Sequence, residues 1–369
     1  MRLLALLHGW AGGIVGLLLA VIGLSGTVLV WEESWIGLPG ADDPLTADPA
    51  QIGQAVAAAI AEDPALSRIT FANDDLGLHQ AIYTDGGGAY LTQAGVVVDR
   101  WDSMWGRPEL WLFDLHHYLF MGEIGEYLTG ALGLLLLAFA VTGLILWWRT
   151  RRSFEFRLWP ARFTKGAIIR QHRDIGAVAS PVLILSALTG AFMIFPAVSE
   201  ALLTPWADPA ETAAPIQPET DGPHASATDW PTVMANAQAA FPEALPRRLT
   251  LPQKPGAPLT LRMKQSFEWT PNGRTYVYLD PATGTVLATD DPATGDTASA
   301  ITEKYYPVHA GKVGGVAWRL VLTCSGLALV LLGTLATWSF WFGSKRRKSR
   351  KRPGAATARA LVPRQADLP

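Results

Sequence analysis

The chain has 369 residues, of which 49% are hydrophobic and only 17% are charged. Soluble domains carry about 25% charged residues, so this composition favours a membrane protein over a soluble one. The formal net charge is −2, and the single cysteine, Cys324, excludes an intrachain disulfide and any zinc site built on several thiolates.

Four apolar stretches are long enough to cross a bilayer, which needs about 20 residues of helix. They are residues 11–31, 128–148, 175–195 and 320–342. The first is longer than the apolar core of a signal peptide and no cleavage site follows it, so we expect a retained helix. The sequence therefore predicts an α-helical membrane protein with four transmembrane helices.

The first long connection predicts a small α+β module. Its helical pattern covers residues 48–63, and its alternating strand-like runs are residues 69–73, 79–85, 89–93 and 96–100. The second long connection has the same order, with a helix at 228–241 and strands at 247–251, 258–265, 274–280 and 285–290. Residues 280–284, Asp-Pro-Ala-Thr-Gly, predict the turn of its last hairpin.

The same order of elements divides the chain into two repeated halves, each with an apolar helix, an outer module and a second apolar helix. The predicted segments are helix 1 at 1–31, module 1 at 32–115, an interfacial lead-in with helix 2 at 116–148, a basic loop at 149–171, helix 3 at 172–195, module 2 at 196–308, a lead-in with helix 4 at 309–342 and a basic tail at 343–369.

Basic residues predict the orientation of the helices. Residues 149–173 hold eight Lys and Arg, and residues 345–352 hold seven, whereas both long connections are acidic. Because positive charge is enriched on the cytoplasmic side, we expect both termini in the cytoplasm and both modules in the periplasm of a bacterial inner membrane. The basic tail then flanks a helix against the lipid bilayer, and we expect no nucleic-acid partner.

Two of the four helices begin on a histidine and share residues at a constant offset of 164 positions. The matching pairs are His8/His172, Gly12/Gly176, Leu19/Leu183, Leu24/Leu188 and Gly26/Gly190. Both helices run in the same direction, so His8 and His172 are expected at one level at the inner face. Helices 2 and 4 run the other way, and they place His116 or His117 level with His309 at the outer face.

Histidines at opposite faces cannot share one metal centre, because His8 lies eighteen residues before Gly26, a separation of about 27 Å along a helix. Two imidazoles at one face suit a haem iron, whereas a bare zinc or copper ion needs three or four protein ligands. The alternative is that all four are interfacial side chains. The remaining histidines, His79 and His224, are expected at the surface of the modules.

Small residues follow the two inner histidines, and two explanations stay open for them. They are Gly9, Gly12, Gly13 and Gly16 after His8, and Gly176, Ala177, Ala179 and Ser180 after His172. They either leave room for a planar macrocycle or let membrane helices approach closely. Ser25, Thr142 and Thr189 are expected to hydrogen-bond within their own helices.

The outer histidines lie further from their apolar stretches than the inner ones. Glycine-rich segments at 122–125 and 311–315 intervene, and we expect them to break the chain so that the outer site lies at the lipid surface. Glu126 and Arg319 each lie ten residues after a histidine, which favours an ion pair at the outer interface, although two independent interfacial side chains are the alternative.

The arrangement of these motifs resembles the PepSY-associated transmembrane helix family. The resemblance covers residues 1 to about 343 and is carried by His8 to Ser25-Gly26, Leu115-His116 to Thr142-Gly143, His172 to Thr189-Gly190, and His309 to Trp341, with the module ending YVYLDPATGTVL. It implies PepSY-like periplasmic modules and a haem-containing inner-membrane ferric-siderophore reductase. The implied cofactors are two haem b groups, each held by two histidines.

The resemblance assigns His8 and His172 to one haem iron, and His116 and His309 to the other. His117 stands where relatives carry Arg, so His117 remains a second candidate for the outer ligand. That replacement also removes a cation that could face a haem propionate, and Arg107, Lys312 or Arg319 could substitute.

The expected activity is transfer of electrons from the cytoplasmic side to a ferric siderophore in the periplasm, with release of Fe(II) for iron uptake. The sequence has no Gly-rich dinucleotide motif opening a βαβ unit, so the electron donor is expected to be another cytoplasmic or membrane component. Two other functions remain open. One is a haem-free, membrane-anchored module that binds peptides or regulates a peptidase, and the other is an accessory of siderophore transport.

Overall fold

The computed structural model describes residues 1–46, 48–208, 218–220 and 228–342. Predictions for His224 and for the basic tail at 343–369 fall outside these residues. Within them, four helices are long and apolar enough to cross a membrane. They are α1 (Arg2–Leu29), α5 (Gly122–Trp148), α6 (Lys165–Ile194) and α11 (Gly315–Trp341). The four predicted spans are thus confirmed, and the chain has the architecture of a multi-pass membrane protein.

Glycines allow the membrane helices to approach each other closely. On α1, a Cβ at Gly16 would lie 2.6 Å from the carbonyl oxygen of Gly333 on α11, and a Cβ at Gly23 would lie 3.1 Å from that of Gly326. A cluster of buried leucines, among them Leu19, Leu183 and Leu329, fills the centre of the bundle. Because the hydrophobic effect does not drive helices together in lipid, the close packing at these small residues stabilises the bundle.

The strands of both modules join in one antiparallel sheet of eight strands. They are β1 (Leu66–Thr70), β2 (His79–Tyr83), β3 (Gly88–Leu91), β4 (Val97–Trp101), β5 (Leu245–Thr250), β6 (Leu259–Lys264), β7 (Thr275–Leu279) and β8 (Val286–Asp290). Their order is β4-β3-β2-β1-β5-β6-β7-β8. All eight predicted strands are present, and β1 pairs with β5 to join the two modules.

Two helices cover one face of this sheet. They are α3 (Pro49–Glu62) and α8 (Trp230–Ala240), the two helices that the sequence predicts for the modules. Val56 and Met234 are fully buried beneath them, against Leu249 and Leu261 of the sheet. The alternating burial of β5 and β6 leaves the opposite face of the sheet to polar side chains.

The prediction that His79 is a surface side chain is wrong. Only 2% of His79 is exposed, because the alternation of β2 points His79, Ala81 and Tyr83 into the core. Its Nδ1 accepts a hydrogen bond of 2.8 Å from the backbone N–H of Ala72, and burial lowers its pKa to about 4. The ring is therefore a neutral part of the packing.

Short helices connect the sheet to the bundle. They are α2 (Glu32–Trp35), α4 (Pro108–Tyr118), α7 (Pro196–Leu203), α9 (Thr297–Thr302) and α10 (Tyr305–His309). The chain breaks after α4 and after α10, as the glycines predict. The first break lies a little before the predicted one, because Leu119 and Phe120 adopt left-handed backbone angles ahead of Gly122. The second break uses Gly311, Gly314 and Gly315.

The favoured ion pair between Glu126 and Arg319 does not form. Arg319 lies at the start of α11 beneath the loop between β1 and β2, where it binds Asp75 at 3.0 Å. Among the described residues Glu126 has no ion pair. The contact between Arg319 and Asp75 instead ties α11 to module 1.

Two histidine pairs as candidate cofactor sites

The structure brings His8 of α1 and His172 of α6 together at one end of the bundle. Their ring centres lie 6.3 Å apart and their planes meet at 83°. The Nδ1 atom of His8 lies 2.9 Å from Thr142 Oγ1, and that of His172 lies 3.2 Å from the carbonyl oxygen of Leu332. We call this couple the inner pair.

The outer pair consists of His116 of α4 and His309 of α10, both in the short helices that precede a membrane span. Their ring centres lie 6.2 Å apart, with planes inclined by 51°. His116 Nδ1 lies 3.0 Å from Ser25 Oγ and 3.1 Å from Ile22 O, and His309 Nδ1 lies 3.2 Å from Thr189 Oγ1 and 3.0 Å from Ser186 O. Each ring thus rests on the end of a membrane helix.

The hydroxyl groups beside these rings fix the tautomer of the histidines. Ser25, Thr142 and Thr189 each donate their own proton to a carbonyl of their helix, at 3.1, 2.6 and 2.8 Å. Each hydroxyl oxygen can therefore only accept a hydrogen bond from Nδ1–H of the facing histidine. The lone pair then lies on Nε2, as in histidines that bind metals through Nε2.

The sequence analysis did not predict that Ser25, Thr142 and Thr189 would each contact a histidine. The expected hydrogen bonds within their own helices are present, and the contacts with histidine are additional. The sequence feature that marks these hydroxyl groups is a Ser/Thr-Gly dipeptide, which recurs at 25–26, 142–143 and 189–190. All three of these motifs receive a histidine ring.

Gly26 and Gly190 make room for the outer pair. A Cβ at Gly26 would lie 2.8 Å from His116 Cε1, and a Cβ at Gly190 would lie 2.8 Å from His309 Cε1. Real Cβ atoms do not come so close, so any side chain here would push the ring away. The two contacts have the same geometry at positions related by the offset of 164.

The separation of the rings fits a metal held between them. A bond of about 2 Å to each nitrogen, and roughly 1 Å more to each ring centre, places the centres of two axial imidazoles about 6 Å apart. Both pairs show this separation, at 6.3 and 6.2 Å. No protein group among the described residues hydrogen-bonds the Nε2 atoms of these four rings.

A cavity of about 650 Å³ adjoins the inner pair. Cofactor pockets measure roughly 300–1,000 Å³. Gly9, Gly12 and Gly176 line the cavity, where a Cβ would meet nothing closer than 3.7 Å. Gly13 and Gly16 approach α11 closely, as the helix-packing explanation predicts, and Gly16 also lines the cavity.

The outer pair is electrostatically suited to binding a metal. Burial, together with the neighbouring His309, lowers the pKa of His116 to about 4, and burial also lowers the pKa of His309. Both imidazoles are therefore neutral at pH 7, which is the form that ligates metal ions.

His117 does not join the outer pair. Its ring stacks on Phe113, with centres 5.3 Å apart and planes at 9°, and its Nδ1 atom has no partner among the described residues. Because neighbouring residues on a helix point in different directions, only one of His116 and His117 can face His309. The structure places His116 there.

The three cations considered for a haem propionate are already paired with carboxylates. Arg107 binds Asp99 and Glu109, each at 2.7 Å. Lys312 is paired with Glu33, and Arg319 with Asp75. None of them is a free cation facing the outer pair.

The two pairs are separate sites at opposite ends of the bundle. Gly26, beneath His116, lies eighteen residues after His8 on α1, and this separation corresponds to about 27 Å of helix. The described residues contain no group of three or more His, Cys, Asp or Glu side chains that could hold a metal ion. Two imidazoles per site, without a third protein ligand among the described residues, would suit a metal whose other positions belong to a macrocycle.

Comparison with known proteins identifies the family of the chain. No curated protein matches it significantly. The family described as PepSY-associated TM region matches residues 5–343, which is nearly the whole chain. The protein therefore belongs to the PepSY-associated transmembrane family.

Proposed function

We propose that the protein is a two-haem electron-transfer protein of the bacterial inner membrane. It takes electrons on the cytoplasmic side and reduces a ferric siderophore in the periplasm, which releases Fe(II) for iron uptake. The observation that carries this proposal is the presence of two partly buried histidine pairs, one near each end of the bundle, each with rings about 6 Å apart.

His8 and His172 would hold the iron of the inner haem b, and His116 and His309 that of the outer one. When bound, each haem supplies a site for one electron. The protein's own residues hold the imidazoles in place: Thr142 and the carbonyl of Leu332 orient the inner rings, whereas Ser25 and Thr189 orient the outer rings.

The placement of the acceptor rests on three arguments. The basic loop at 149–171 favours the cytoplasmic side for the inner pair and the periplasm for the sheet. The outer pair lies where the sheet meets the bundle, so a soluble periplasmic iron chelate could reach it. The resemblance to ferric-siderophore reductases supplies the substrate class, and the electron donor is a separate cytoplasmic or membrane component.

The two halves of the chain would be structural repeats of one unit. The matching contacts of Gly26 with His116 and of Gly190 with His309 support this proposal. So does the central position of β1 and β5, the first strand of each module.

The haem content of the purified protein tests the proposal. Protein from haem-replete cells should be red, with two haem groups per chain by the pyridine haemochrome assay. His8→Ala and His172→Ala should each remove the inner haem and leave the outer one. A colourless preparation would contradict the proposal and favour the haem-free binding module, and loss of both haem groups from either variant would contradict two independent sites.

Ferric-siderophore reduction is a separate test. Protein reduced with dithionite under anaerobic conditions should be reoxidised by a ferric siderophore, with Fe(II) trapped by ferrozine. Unchanged reduced spectra after addition of several ferric siderophores would exclude the proposed acceptor while leaving the haem sites intact.

A further inference from the structure

Three arginines lie next to each other on the face of the sheet that α3 and α8 leave uncovered. They are Arg68 on β1, Arg248 on β5 and Arg262 on β6, and we call them the arginine ladder. Arg248 and Arg262 are direct cross-strand partners. Arg68 is opposite Thr250, so it is the diagonal neighbour of Arg248. Directly opposed residues share a face of a sheet, so the three guanidinium groups are grouped on one side.

Among the described residues, no carboxylate forms an ion pair with the arginine ladder. Arg248 donates through Nε to Thr70 Oγ1 at 3.2 Å, and its two terminal nitrogens have no partner in the part of the chain that the structure describes. Arg262 donates to the carbonyl oxygen of Gly273. Burial, with Arg68 and Arg262 as nearby like charges, lowers the pKa of Arg248 to about 10, so Arg248 remains charged at pH 7.

Three other partly buried arginines of the chain, in contrast, have carboxylate partners. Arg107 binds Asp99 and Glu109, Arg173 binds Asp174, and Arg319 binds Asp75. Like charges directly opposite each other destabilise a sheet. An anionic ligand would offset this repulsion, and guanidinium groups match the planar geometry of carboxylates and related oxyanions.

Two tyrosines that lie next to the outer pair along the chain are within electrostatic reach of the arginine ladder. Arg248 lies within electrostatic reach of Tyr306, which precedes His309 by one helical turn. Arg68 lies within reach of Tyr118, two residues after His116. Arg68 is exposed, Arg248 and Arg262 are partly exposed, and 41% of Tyr306 is accessible. A small molecule can therefore reach the ladder from solution.

We propose that the arginine ladder is a binding site for an anionic, oxygen-rich small molecule beside the outer pair. In a reductase this ligand would be an iron chelate with negative net charge, so the site would select anionic chelates over cationic ones. That selectivity rests on the proposed function, whereas binding of the anion does not.

Calorimetric titration of the full-length protein in nanodiscs tests the proposal. Gallium(III) citrate is the probe, because it is anionic and does not accept electrons. Arg248→Gln and Arg68→Gln should each weaken its binding by about tenfold or more, since a charge-assisted hydrogen bond is lost. Lys254→Gln, which removes an exposed charge from module 2, is the control and should bind like the wild type.

A gallium trihydroxamate chelate of positive net charge should bind the wild type more weakly than gallium citrate. No binding of gallium citrate, or equal affinity in wild type and both arginine variants, would overturn the proposal. Exposed Arg68 can be replaced with little risk to folding, so a misfolded Arg248 variant does not remove the test.

Haem propionates are a second source of the same carboxylate chemistry. If the ladder held propionates, Arg248→Gln would lower the haem content or shift the potential of the outer haem while the affinity for gallium citrate stayed unchanged, and this result would overturn the proposal. A haem-free wild type would refute the proposed function, and binding of gallium citrate could still be measured on it.

Discussion

The imidazole ring of His116 lies directly over Gly26, so that a Cβ at this glycine would come within 2.8 Å of His116 Cε1. His309 lies over Gly190 with the same separation of 2.8 Å. The last turn of each of two membrane helices is therefore shaped to receive a histidine from a different segment. This fit locates the outer pair at the junction of the bundle and the sheet.

Gly26→Ala and Gly190→Ala should each displace one ring of the outer pair. Because the added methyl group meets the ring itself, we expect loss of one haem per chain with the inner haem retained, as measured by the pyridine haemochrome assay. Gly166→Ala, at a helical position with nothing within 4 Å of the new Cβ, is the control. Full haem content in both test variants would contradict the proposed outer ligands.

His116→Ala and His117→Ala form a matched pair of neighbouring substitutions. His116 faces His309, whereas His117 stacks on Phe113. We expect His116→Ala to lose the outer haem and His117→Ala to keep both, with absorption spectra of the reduced protein as the readout. The reverse result would assign the ligand to His117 and require a different orientation of α4.

Thr142→Val should weaken the inner haem site without removing a ligand. Its hydroxyl accepts the hydrogen bond of His8 Nδ1, and loss of such a partner costs about 10- to 100-fold in metal affinity. Transfer of haem to apomyoglobin measures the change. Thr334→Val is the control, because the Thr334 hydroxyl bonds only carbonyls of its own helix. Equal transfer rates for both variants would refute an orienting role for Thr142.

Glu32 should make the stability of the protein depend on pH. Burial, with Glu33 adding to its effect, raises the pKa of Glu32 from 4.5 to about 7. Between these values the folded protein holds a proton that the unfolded chain has released, so this group makes stability fall as pH rises through that window. In Glu32→Gln that loss should be absent, and the variant should gain in apparent melting temperature relative to wild type between pH 5 and pH 8.

The quantity to compare is the difference in apparent melting temperature between wild type and Glu32→Gln at each pH. The lowered pKa of His116 acts in the opposite direction, since it makes stability fall as pH drops from 6.5 towards about 4. This contribution is common to both proteins and cancels. Glu243→Gln, an exposed carboxylate of module 2, should follow the wild type at every pH. Parallel curves for Glu32→Gln and wild type would show that Glu32 is ionised throughout.

Periodicity and composition predicted most of the fold. The four spans and the ten elements of the modules are each encoded by a local pattern, either a long apolar run or a short alternation between turn residues. The wrong assignments depended on tertiary contacts. The polar neighbours of His79 in sequence do not show that its strand turns this side chain inwards. Similarly, the position of Arg319 in the sequence does not show that Arg319 forms its ion pair with Asp75 and not with Glu126.

Only part of the candidate site could be predicted, because its other contacts join segments that are far apart in the sequence. Equal spacing along helices of the same direction places His8 level with His172, but it does not reveal what their Nδ1 atoms bind. Ser25 and His116 are 91 positions apart, and their contact depends on how α4 folds back against α1. The choice between His116 and His117 likewise depends on the rotation of α4, which neither periodicity nor charge determines.

The seam between β1 and β5 has a consequence for biosynthesis. Until β5 is made, β1 is an open edge with unpaired backbone groups, and two membrane helices, α5 and α6, must be inserted in the meantime. An unfinished chain is thus exposed to pairing with another copy of itself. The charge of Arg68 on this edge disfavours such pairing, so it would protect the nascent protein from aggregation before its second half arrives.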